Sequence, residues 1–332
     1  MCFVYVVKNG ATIGISGGMI TIRYPDSTVE RIPKGIVDGV SLFSRAVLTT
    51  SFVDYCLEND VRVGFFNSKG NYRGCLSSTP NSNVERLRKQ IRLSSDDDFS
   101  LSVARSIIAA KINNQIVLVR RYCSGKDVNL DYRSKMNYIA KRKIKNSSTI
   151  NQVMGYEGIV SRYYFKSLAA VIEPGFRFEK RTRRPARDPF NCMLNLGYSV
   201  LAQEIYGEIV NRNLNPYIGF IHKDRQGHPS LASDMMEEWR AVIVDATVLS
   251  LIQGHEIRAE EFSFINGKCI MSEKSKKILL TKLERKMETK TNYLSYIDKP
   301  LSFRESIWHQ ADRLSRAIES GDASLYSPVK VR

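Results

Sequence analysis

The chain has 332 residues, which is enough for two domains with substantial hydrophobic cores. Fifty Lys and Arg residues against 34 Asp and Glu give a net charge of +16, and this favours a polyanionic partner such as nucleic acid over a basic surface that serves solubility alone. Six cysteines without a C-x-x-C pair argue against structural zinc and a disulfide framework, while no apolar window reaches the ~18 residues of a membrane span. We therefore expect a soluble, cytoplasmic protein that does not interact with membranes.

The first 75 residues are predicted to be rich in β-strands. Short runs of β-branched and aromatic residues indicate strands at residues 4–7, 20–24, 29–32 and 61–66. Turn signals such as Asn9-Gly10 separate these runs, and one helix is expected over residues 50–58. A polar stretch at residues 77–83 then has the composition of a linker.

After this stretch the hydrophobic period becomes helical. Ser94 or Ser95 is expected to cap a helix whose first turn carries Asp96, Asp97 and Asp98, which complement the helix dipole. Further helical patterns and one hairpin with an Asn-Gly turn follow; the helices cover residues 148–172, 191–211, 230–253 and 275–290, and the hairpin strands cover 262–265 and 268–271.

These elements predict the α+β class. We expect a β-rich N-terminal domain over residues 1–78, a linker over residues 79–95, and a larger, mainly α-helical C-terminal domain over residues 96–332. The chain contains no phosphate-binding glycine motif, zinc-protease motif or hydrolase nucleophile elbow, so the usual signals for those activities are missing.

Glu157 is the most informative single residue. It falls on the apolar stripe of the helix predicted over residues 148–172, seven residues after Ile150 and seven before Tyr164. A carboxylate that faces a core is costly unless it pairs with a base or binds a cation. A structural ion pair and a functional site explain this position equally well.

A second group of candidate residues begins at His222 and continues into a helix predicted to start with Ser230 as its cap. Asp234 and Glu237 are three residues apart and share a helix face, with Glu238 beside them. An imidazole and two carboxylates would suit Mg²⁺ or Mn²⁺. Taken alone, the pattern favours a simpler interpretation, in which an acidic helix start complements the dipole and His222 lies in a turn.

Basic residues are concentrated at residues 133–145, 177–187 and 274–290. One such run is usually a solvated surface, but three of them around candidate metal ligands favour nucleic acid. The middle run contains a proline and is predicted to be a loop, and its candidates for phosphate contacts are Arg177, Lys180, Arg181, Arg183, Arg184 and Arg187.

Three motifs together resemble the CRISPR-associated spacer-acquisition endonuclease, the integrase subunit of the CRISPR adaptation module. They are GYEG at residues 155–158, RRPARDPFNCMLNLGY at 183–198, and GFIH at 219–222 followed by PSLASDMMEEWR at 229–240. The β-rich start, including GNYRG at residues 70–74, is also similar, so the resemblance covers most of the chain.

The resemblance implies a metal site and a reaction. The family's Glu, His and acidic ligand fall on Glu157, His222 and Glu237, and Asp234 is either an alternate ligand or a supporting residue. With Mg²⁺ or Mn²⁺, such an endodeoxyribonuclease and integrase would join protospacer DNA 3′ ends into a CRISPR array by phosphodiester transesterification. We expect the two carboxylates and the imidazole to converge on one point.

The resemblance also implies the partners of the protein. These are double-stranded DNA from the protospacer and the CRISPR repeat, a second copy of the chain bound through the β domain, and a small CRISPR-associated protein with a ferredoxin fold. Two alternatives remain open: a non-catalytic DNA-binding scaffold of the same fold, and a nuclease that processes RNA at the same site.

Overall fold

A computed structural model describes residues 2–67, 72–76, 78, 83–123, 127–176, 178–182 and 185–331. Its N-terminal part consists of strands with one α-helix inserted among them. The elements are β1 (Cys2–Val6), β2 (Ala11–Ser16), β3 (Met19–Arg23), β4 (Val29–Pro33), β5 (Val37–Leu42), β6 (Ala46–Leu48), α1 (Thr50–Glu58), β7 (Arg62–Phe66) and β8 (Tyr72–Leu76).

The strands pair into two sheets. One sheet has the order β1-β5-β7-β8, in which β8 alone runs antiparallel to its neighbour. The other has the order β4-β3-β2-β6, in which β6 is parallel to β2 and the other pairs are antiparallel. Val6, Ile13, Ile22, Phe52 and Val63 are buried in one hydrophobic cluster that joins both sheets and α1.

The C-terminal part is mainly helical. Its elements are α2 (Val84–Ser94), α3 (Asp97–Tyr122), α4 (Asp127–Tyr138), α5 (Ile150–Ala169), α6 (Pro189–Asn211), α7 (Ser230–Met236), α8 (Ala246–Gln253), β9 (Phe262–Ile265), β10 (Lys268–Met271), α9 (Glu273–Glu288), β11 (Lys290–Thr291), β12 (Leu301–Ser302) and α10 (Phe303–Ser320). Short π-helical segments cover Ile139–Ile144, after α4, and Arg240–Asp245, before α8. Within the described ranges, no helix is both long and apolar enough to cross a bilayer.

Helix α3 lies at the centre of this part. It has 26 residues and contacts α2, α4, α5 and the π segment Arg240–Asp245. Val103, Ile107, Ile112 and Leu118 are buried on it, and a helix that is apolar on most sides belongs inside a domain. The buried polar residues Lys111, Asn114 and Gln115 interrupt this apolar surface.

Polar contacts connect the strands to the helices. The Arg62 guanidinium of β7 contacts the Glu208 carboxylate at 2.9 Å, and the Ser41 hydroxyl donates to Gln203 at 3.1 Å. The Tyr5 hydroxyl of β1 donates to Glu284 at 2.8 Å. The helical part therefore contacts one sheet through ion pairs and hydrogen bonds as well as apolar packing.

The predicted α+β class, with strands first and helices after them, is confirmed. The helix over residues 50–58 and both hairpin strands, 262–265 and 268–271, have the predicted bounds. The sequence pattern does not predict the strands β2, β5, β6 and β8. Glycines interrupt the β-branched pattern of β2 and β5, β8 contains a glycine and no β-branched residue, and β6 is three residues long, so these segments lack a strong strand signal.

Both predicted serine caps were wrong. The Asp96 carboxylate, not Ser94 or Ser95, caps α3 and accepts from the Phe99 N–H at 2.9 Å. Ser230 is the first residue of α7 and does not cap it, because the N-cap position falls on Pro229; the Ser230 hydroxyl donates to the carbonyl of His228 at 3.4 Å. A short polar residue near a helix start predicts the start better than it predicts the capping atom.

The segment expected to be a linker, residues 79–95, contains helix α2. The Asn83 side chain caps this helix and accepts from the Arg86 N–H at 3.0 Å. Residues 77 and 79–82 lie outside the described part of the chain, as do Gly70 and Asn71 of the GNYRG motif. The domain boundary stays a prediction.

Candidate active site

Helix α3 places a buried lysine between two carboxylates. Lys111 is 6% exposed, and its ammonium contacts the carboxylate of Glu157 and that of Glu237, the latter at 2.6 Å between Nζ and Oε2. Burial alone would lower the pKa of this lysine, but the attraction of Glu237 and Glu157 outweighs burial and raises the pKa. Lys111 is therefore held as a cation.

Glu157 extends from α5 toward this lysine. Its Oε1 accepts from the Ser161 hydroxyl, one turn further along α5, at 2.6 Å and also contacts the Lys111 ammonium. Burial raises the pKa of the carboxyl, yet Lys111 outweighs burial and the pKa of Glu157 is lowered. The base that pairs with Glu157 is Lys111, a residue that belongs to none of the sequence motifs.

Glu237 follows α7 and is 4% exposed. Its Oε1 lies 3.2 Å from Arg240 Nη2 and 4.0 Å from His222 Nε2, while Oε2 faces Lys111. Burial raises its pKa, but Arg240 and Lys111 dominate together and lower the pKa to about 2. The carboxylate is ionised at neutral pH and is surrounded by three nitrogen-bearing side chains.

Glu238, predicted to lie beside Glu237, points to a different region. Its two oxygens accept from the Tyr326 hydroxyl and the Val329 N–H, both at 2.6 Å. Burial raises the pKa of Glu238 to about 8. The helix ends at Met236, so Glu237 and Glu238 occupy a turn and diverge. Glu238 anchors the C-terminal segment and does not reach the site.

Asp234 supports the loop that carries His222. Its carboxylate is fully buried and accepts from the N–H groups of Phe220 at 2.7 Å, Ile221 at 3.0 Å and His222 at 3.1 Å. Asp234 Oδ1 also lies 2.6 Å from His222 Nδ1. When the His222 Nδ1–H donates to this carboxylate, the lone pair of the neutral ring is on Nε2. This nitrogen faces Glu237.

The close approach of this loop requires a glycine. A Cβ added at Gly219 would lie 2.7 Å from Asp234 Oδ2 and 2.9 Å from Ser230 Cβ. Asp234 and Ser230 are buried and belong to the short helix α7, so neither can move away easily. The glycine of the GFIH motif thus lets Asp234 reach the backbone of the loop.

A cavity of about 540 Å³ opens beside Lys111 and Glu157. The Tyr198 ring lies between the guanidiniums of Arg181 and Arg240, each 5.2 Å from the ring centroid. The Asp245 carboxylate accepts from the hydroxyls of Tyr198 at 2.6 Å and Tyr164 at 2.5 Å. Several cations line the cavity, namely Lys111, Arg162, Lys166, Lys180, Arg181 and Arg240.

The candidates for phosphate contacts that the structure describes differ in exposure. Lys180 and Arg187 are exposed. Arg181 points inward and donates to the side-chain oxygens of Asn191 at 2.7 Å and Asn195 at 2.6 Å. The remaining candidates lie outside the described residues; they are Arg177, Arg183 and Arg184.

The predicted convergence of Glu157, His222 and Glu237 is incomplete. In the portion of the chain that the structure describes, no three His, Cys, Asp or Glu side chains are arranged to hold a metal ion. The ammonium of Lys111 lies between the two carboxylates instead. Two carboxylates and an imidazole nitrogen are nevertheless donors that suit a hard divalent cation, and the two carboxylates already contact a positive charge.

A signal for two of the missed residues is present in the sequence. Lys111 interrupts the run Ile107-Ile108-Ala109-Ala110-Lys111-Ile112, where every other residue is apolar, and Arg240 follows Glu237 by three residues. A lone cation within an apolar helix needs a buried anion, so Lys111 would have predicted a partner such as Glu157.

Comparisons with known proteins agree on one family. The family model described as CRISPR associated protein Cas1 matches residues 4–285. The CRISPR-associated endonuclease Cas1 of Mycobacterium tuberculosis is 32% identical over 100% of this chain and 98% of its own length.

Two solved structures share the fold. A casposase bound to integration product has a TM-score of 0.82 and 21% identity, covering 98% of this chain and 93% of that one. A chain of a Cas6-RT-Cas1–Cas2 complex has a TM-score of 0.85 and 20% identity, covering 100% of this chain and 36% of that one.

Proposed function

The chain belongs to the CRISPR-associated Cas1 family, and on this basis we propose that it is a divalent-metal-dependent DNA endonuclease and integrase of CRISPR adaptation. Its proposed reaction joins the 3′ ends of protospacer DNA to a CRISPR array by transesterification. The Mycobacterium tuberculosis relative is named an endonuclease, which supports nuclease activity. The casposase of the same fold is bound to an integration product, which supports integration.

The observation that carries this proposal is the arrangement of Glu157, Glu237 and His222. Both carboxylates contact one cation, the Lys111 ammonium, and His222 Nε2 lies 4.0 Å from Glu237 Oε1. Glu157 and Glu237 both have lowered pKa values, so they are anions at neutral pH. A cluster of ionised ligands beside a cationic cavity suits phosphodiester chemistry.

We assign the metal ligands to Glu157, His222 and Glu237, and Mg²⁺ or Mn²⁺ suits these donors. A bound divalent cation would stabilise charge on the phosphate and orient the attacking group. The contact with Asp234 holds the His222 ring with Nε2 toward Glu237. Asp234 is thus a positioning residue in this proposal.

The bond changes follow from the reaction class. The 3′ oxygen of the incoming strand forms a bond to phosphorus, and the bond between this phosphorus and a 3′ oxygen of the target strand breaks. The attacking hydroxyl loses a proton and the leaving 3′ oxygen gains one, so the reaction balances. Water replaces the 3′ hydroxyl in the nuclease reaction. Arg240 and Lys111 line the cavity and supply positive charge next to the phosphate.

DNA is the proposed polyanion, and the proposed assembly contains a homodimer and a small ferredoxin-fold partner. The Cas6-RT-Cas1–Cas2 complex, one chain of which shares this fold, supports a second CRISPR-associated protein in the assembly. Light scattering after size exclusion tests the dimer by its mass.

Strand transfer tests the proposed function. A short duplex with free 3′ ends would be incubated with a supercoiled plasmid that carries a CRISPR repeat, the small partner protein and Mn²⁺. The variants are Glu157→Gln, His222→Ala and Glu237→Gln, and the matched control is Glu85→Gln, whose side chain is 81% exposed on α2.

The expected result is joining by the wild type and the control, and a loss of at least about 100-fold in each site variant while DNA binding persists. If the wild type binds DNA but neither joins nor cuts it with any divalent metal, the scaffold interpretation replaces this proposal. A parallel incubation with RNA of the same sequence and at the same salt concentration tests the RNA nuclease.

A further inference from the structure

Lys111 occupies the position between the two proposed acidic ligands. It contacts Glu157 and Glu237 at the same time, so one ammonium group bridges the two carboxylates. Among the described residues, buried Glu237 Oε2 makes no directed hydrogen bond, and its contact is the ion pair with Lys111. A buried ligand oxygen in these surroundings is directed at a cation.

The ion pairs of the two glutamates with Lys111 and Arg240 are balanced in charge without a metal. Glu157 and Glu237 contribute two negative charges, and Lys111 with Arg240 contributes two positive charges. A divalent cation that entered this arrangement unchanged would leave two excess positive charges in a region where Glu237 and Lys111 are almost fully buried. Like charges at such distances repel strongly in a protein interior. Either Lys111 moves, or metal binding is weak.

The structure gives Lys111 a place to go. Its side chain lines the cavity of about 540 Å³, and the acidic residues of this lining include Glu179 and Asp245 as well as Glu157. The four-carbon side chain of a lysine is flexible, so the ammonium can move from one set of polar partners to another while helix α3 stays in place. Arg240 is less free, because its guanidinium lies over the Tyr198 ring and contacts Glu237.

We propose that Lys111 is an internal competitor of the metal: its ammonium takes the place of the cation between Glu157 and Glu237, and it withdraws into the cavity when a divalent ion binds. This inference rests on the proposed function, since it concerns the same ligands. It adds a regulation of the site, because a metal ion must displace the Lys111 ammonium in order to bind. Until then, Lys111 neutralises the paired carboxylates.

Metal affinity tests the proposal directly. Binding of Mn²⁺ would be measured without DNA, from the electron paramagnetic resonance signal of the free ion. The proteins are the wild type, Lys111→Met, Glu237→Gln and Gln115→Met. Gln115 is the matched control because it lies one turn after Lys111 on α3, lines the same cavity and has no charge.

Lys111→Met is expected to bind Mn²⁺ at least about tenfold more tightly than the wild type, since the competitor is gone and one of the two negative charges is no longer offset, while Arg240 still pairs with Glu237. Gln115→Met is expected to match the wild type, and Glu237→Gln to bind at least about tenfold more weakly. If Lys111→Met binds no more tightly while Glu237→Gln loses affinity, the inference is overturned and the proposed metal site stands. If no protein binds Mn²⁺, or Glu237→Gln binds as the wild type does, the metal site fails as well.

A second measurement avoids the variants, because Lys111→Met removes the ammonium that pairs with both carboxylates and can fail to fold. Acetylation of lysines in the wild type by an activated ester would be followed by mass spectrometry, with and without Mn²⁺. Lys111 is expected to react several-fold faster with Mn²⁺, because its amine has left the ion pair. Lys274, whose side chain is 76% exposed, is the internal reference. Equal labelling of Lys111 in both conditions contradicts the proposal.

Discussion

The Asp234 carboxylate fixes the His222 imidazole, with 2.6 Å between Oδ1 and Nδ1. The same carboxylate accepts three backbone N–H groups of the loop that ends at His222. One buried side chain thus sets the path of the loop, the orientation of the ring and the nitrogen that faces Glu237.

Replacing Asp234 by asparagine tests this relationship. The amide keeps the volume but removes one of the two accepting oxygens, so we expect the free energy of unfolding in urea to fall by about 2–3 kcal/mol. The rate of strand transfer should fall by more than the loss of folded protein accounts for, because the His222 ring is no longer held in place. A variant that unfolds within about 0.5 kcal/mol of the wild type would show that the loop does not depend on this carboxylate.

A pair of glycine substitutions tests the close approach at Gly219. Gly219→Ala places a Cβ against Asp234 and Ser230 and should lower the free energy of unfolding by about 1–3 kcal/mol. Gly155→Ala is the matched control, because an added Cβ there meets nothing within 4 Å and the residue lies inside α5. Alanine in a helix interior is favoured over glycine by about 0.5–1 kcal/mol, so the two variants should change stability in opposite directions. Destabilisation of both by the same amount would contradict the close approach at Gly219.

Asp245 should make stability depend on pH. Burial raises its pKa to about 6 despite the hydroxyls of Tyr164 and Tyr198, while the ordinary value is 3.8. The folded state therefore holds this proton more tightly than the unfolded chain. The resulting stabilisation is fully present below pH 3.8 and is lost as the pH rises through about 6.

Asp245→Asn removes this titration. Between about pH 5 and 7.5, the stability of the wild type relative to the variant should fall by about 1 kcal/mol, measured by urea unfolding at several pH values. Asp54→Asn, on the exposed surface of α1, is the control for the change from aspartate to asparagine. If the difference in unfolding free energy between the wild type and Asp245→Asn does not change with pH, burial does not raise the pKa of the Asp245 carboxyl.

Sequence patterns predicted some elements of the fold to the residue and missed others. The helix at residues 50–58 and the Asn-Gly hairpin have local signals, a periodic apolar face and a specific turn. Strand β5 pairs with β1 and β7 across long stretches of chain, and its glycine hides the alternation. Pairing between distant segments leaves little trace in a local pattern.

The candidate site shows the same division. Glu157, His222 and Glu237 were predicted from motifs; in the structure Lys111 bridges the two glutamates, and His222 lies beside Glu237. Lys111 was not predicted, because its partners lie 46 and 126 positions further along the chain and α3 has no motif. Arg181 was predicted to face DNA because it lies in a basic run, but charge patterns do not show which way a side chain points.

Substitution of Arg181 should affect DNA binding and stability differently from substitution of its basic neighbours. Arg181 donates to Asn191 and Asn195 and stacks on Tyr198, whereas Lys180 and Arg187 are exposed. Phosphate contacts make DNA affinity fall with salt, and each lost contact lowers the slope of log K against log [salt] by about 1. We expect the double variant Lys180→Ala, Arg187→Ala to bind DNA with a slope smaller by up to about 2 and with an unfolding free energy within about 0.5 kcal/mol of the wild type.

Arg181→Ala should behave differently. The substitution leaves Asn191, which is fully buried, without a charged donor, so the free energy of unfolding should fall by about 1–3 kcal/mol. The salt dependence of DNA binding, measured by fluorescence anisotropy at several salt concentrations, should change little at a temperature where the variant is folded. If Arg181→Ala instead reduces the slope and unfolds like the wild type, its guanidinium contacts phosphate and its inward hydrogen bonds are not maintained in the complex with DNA.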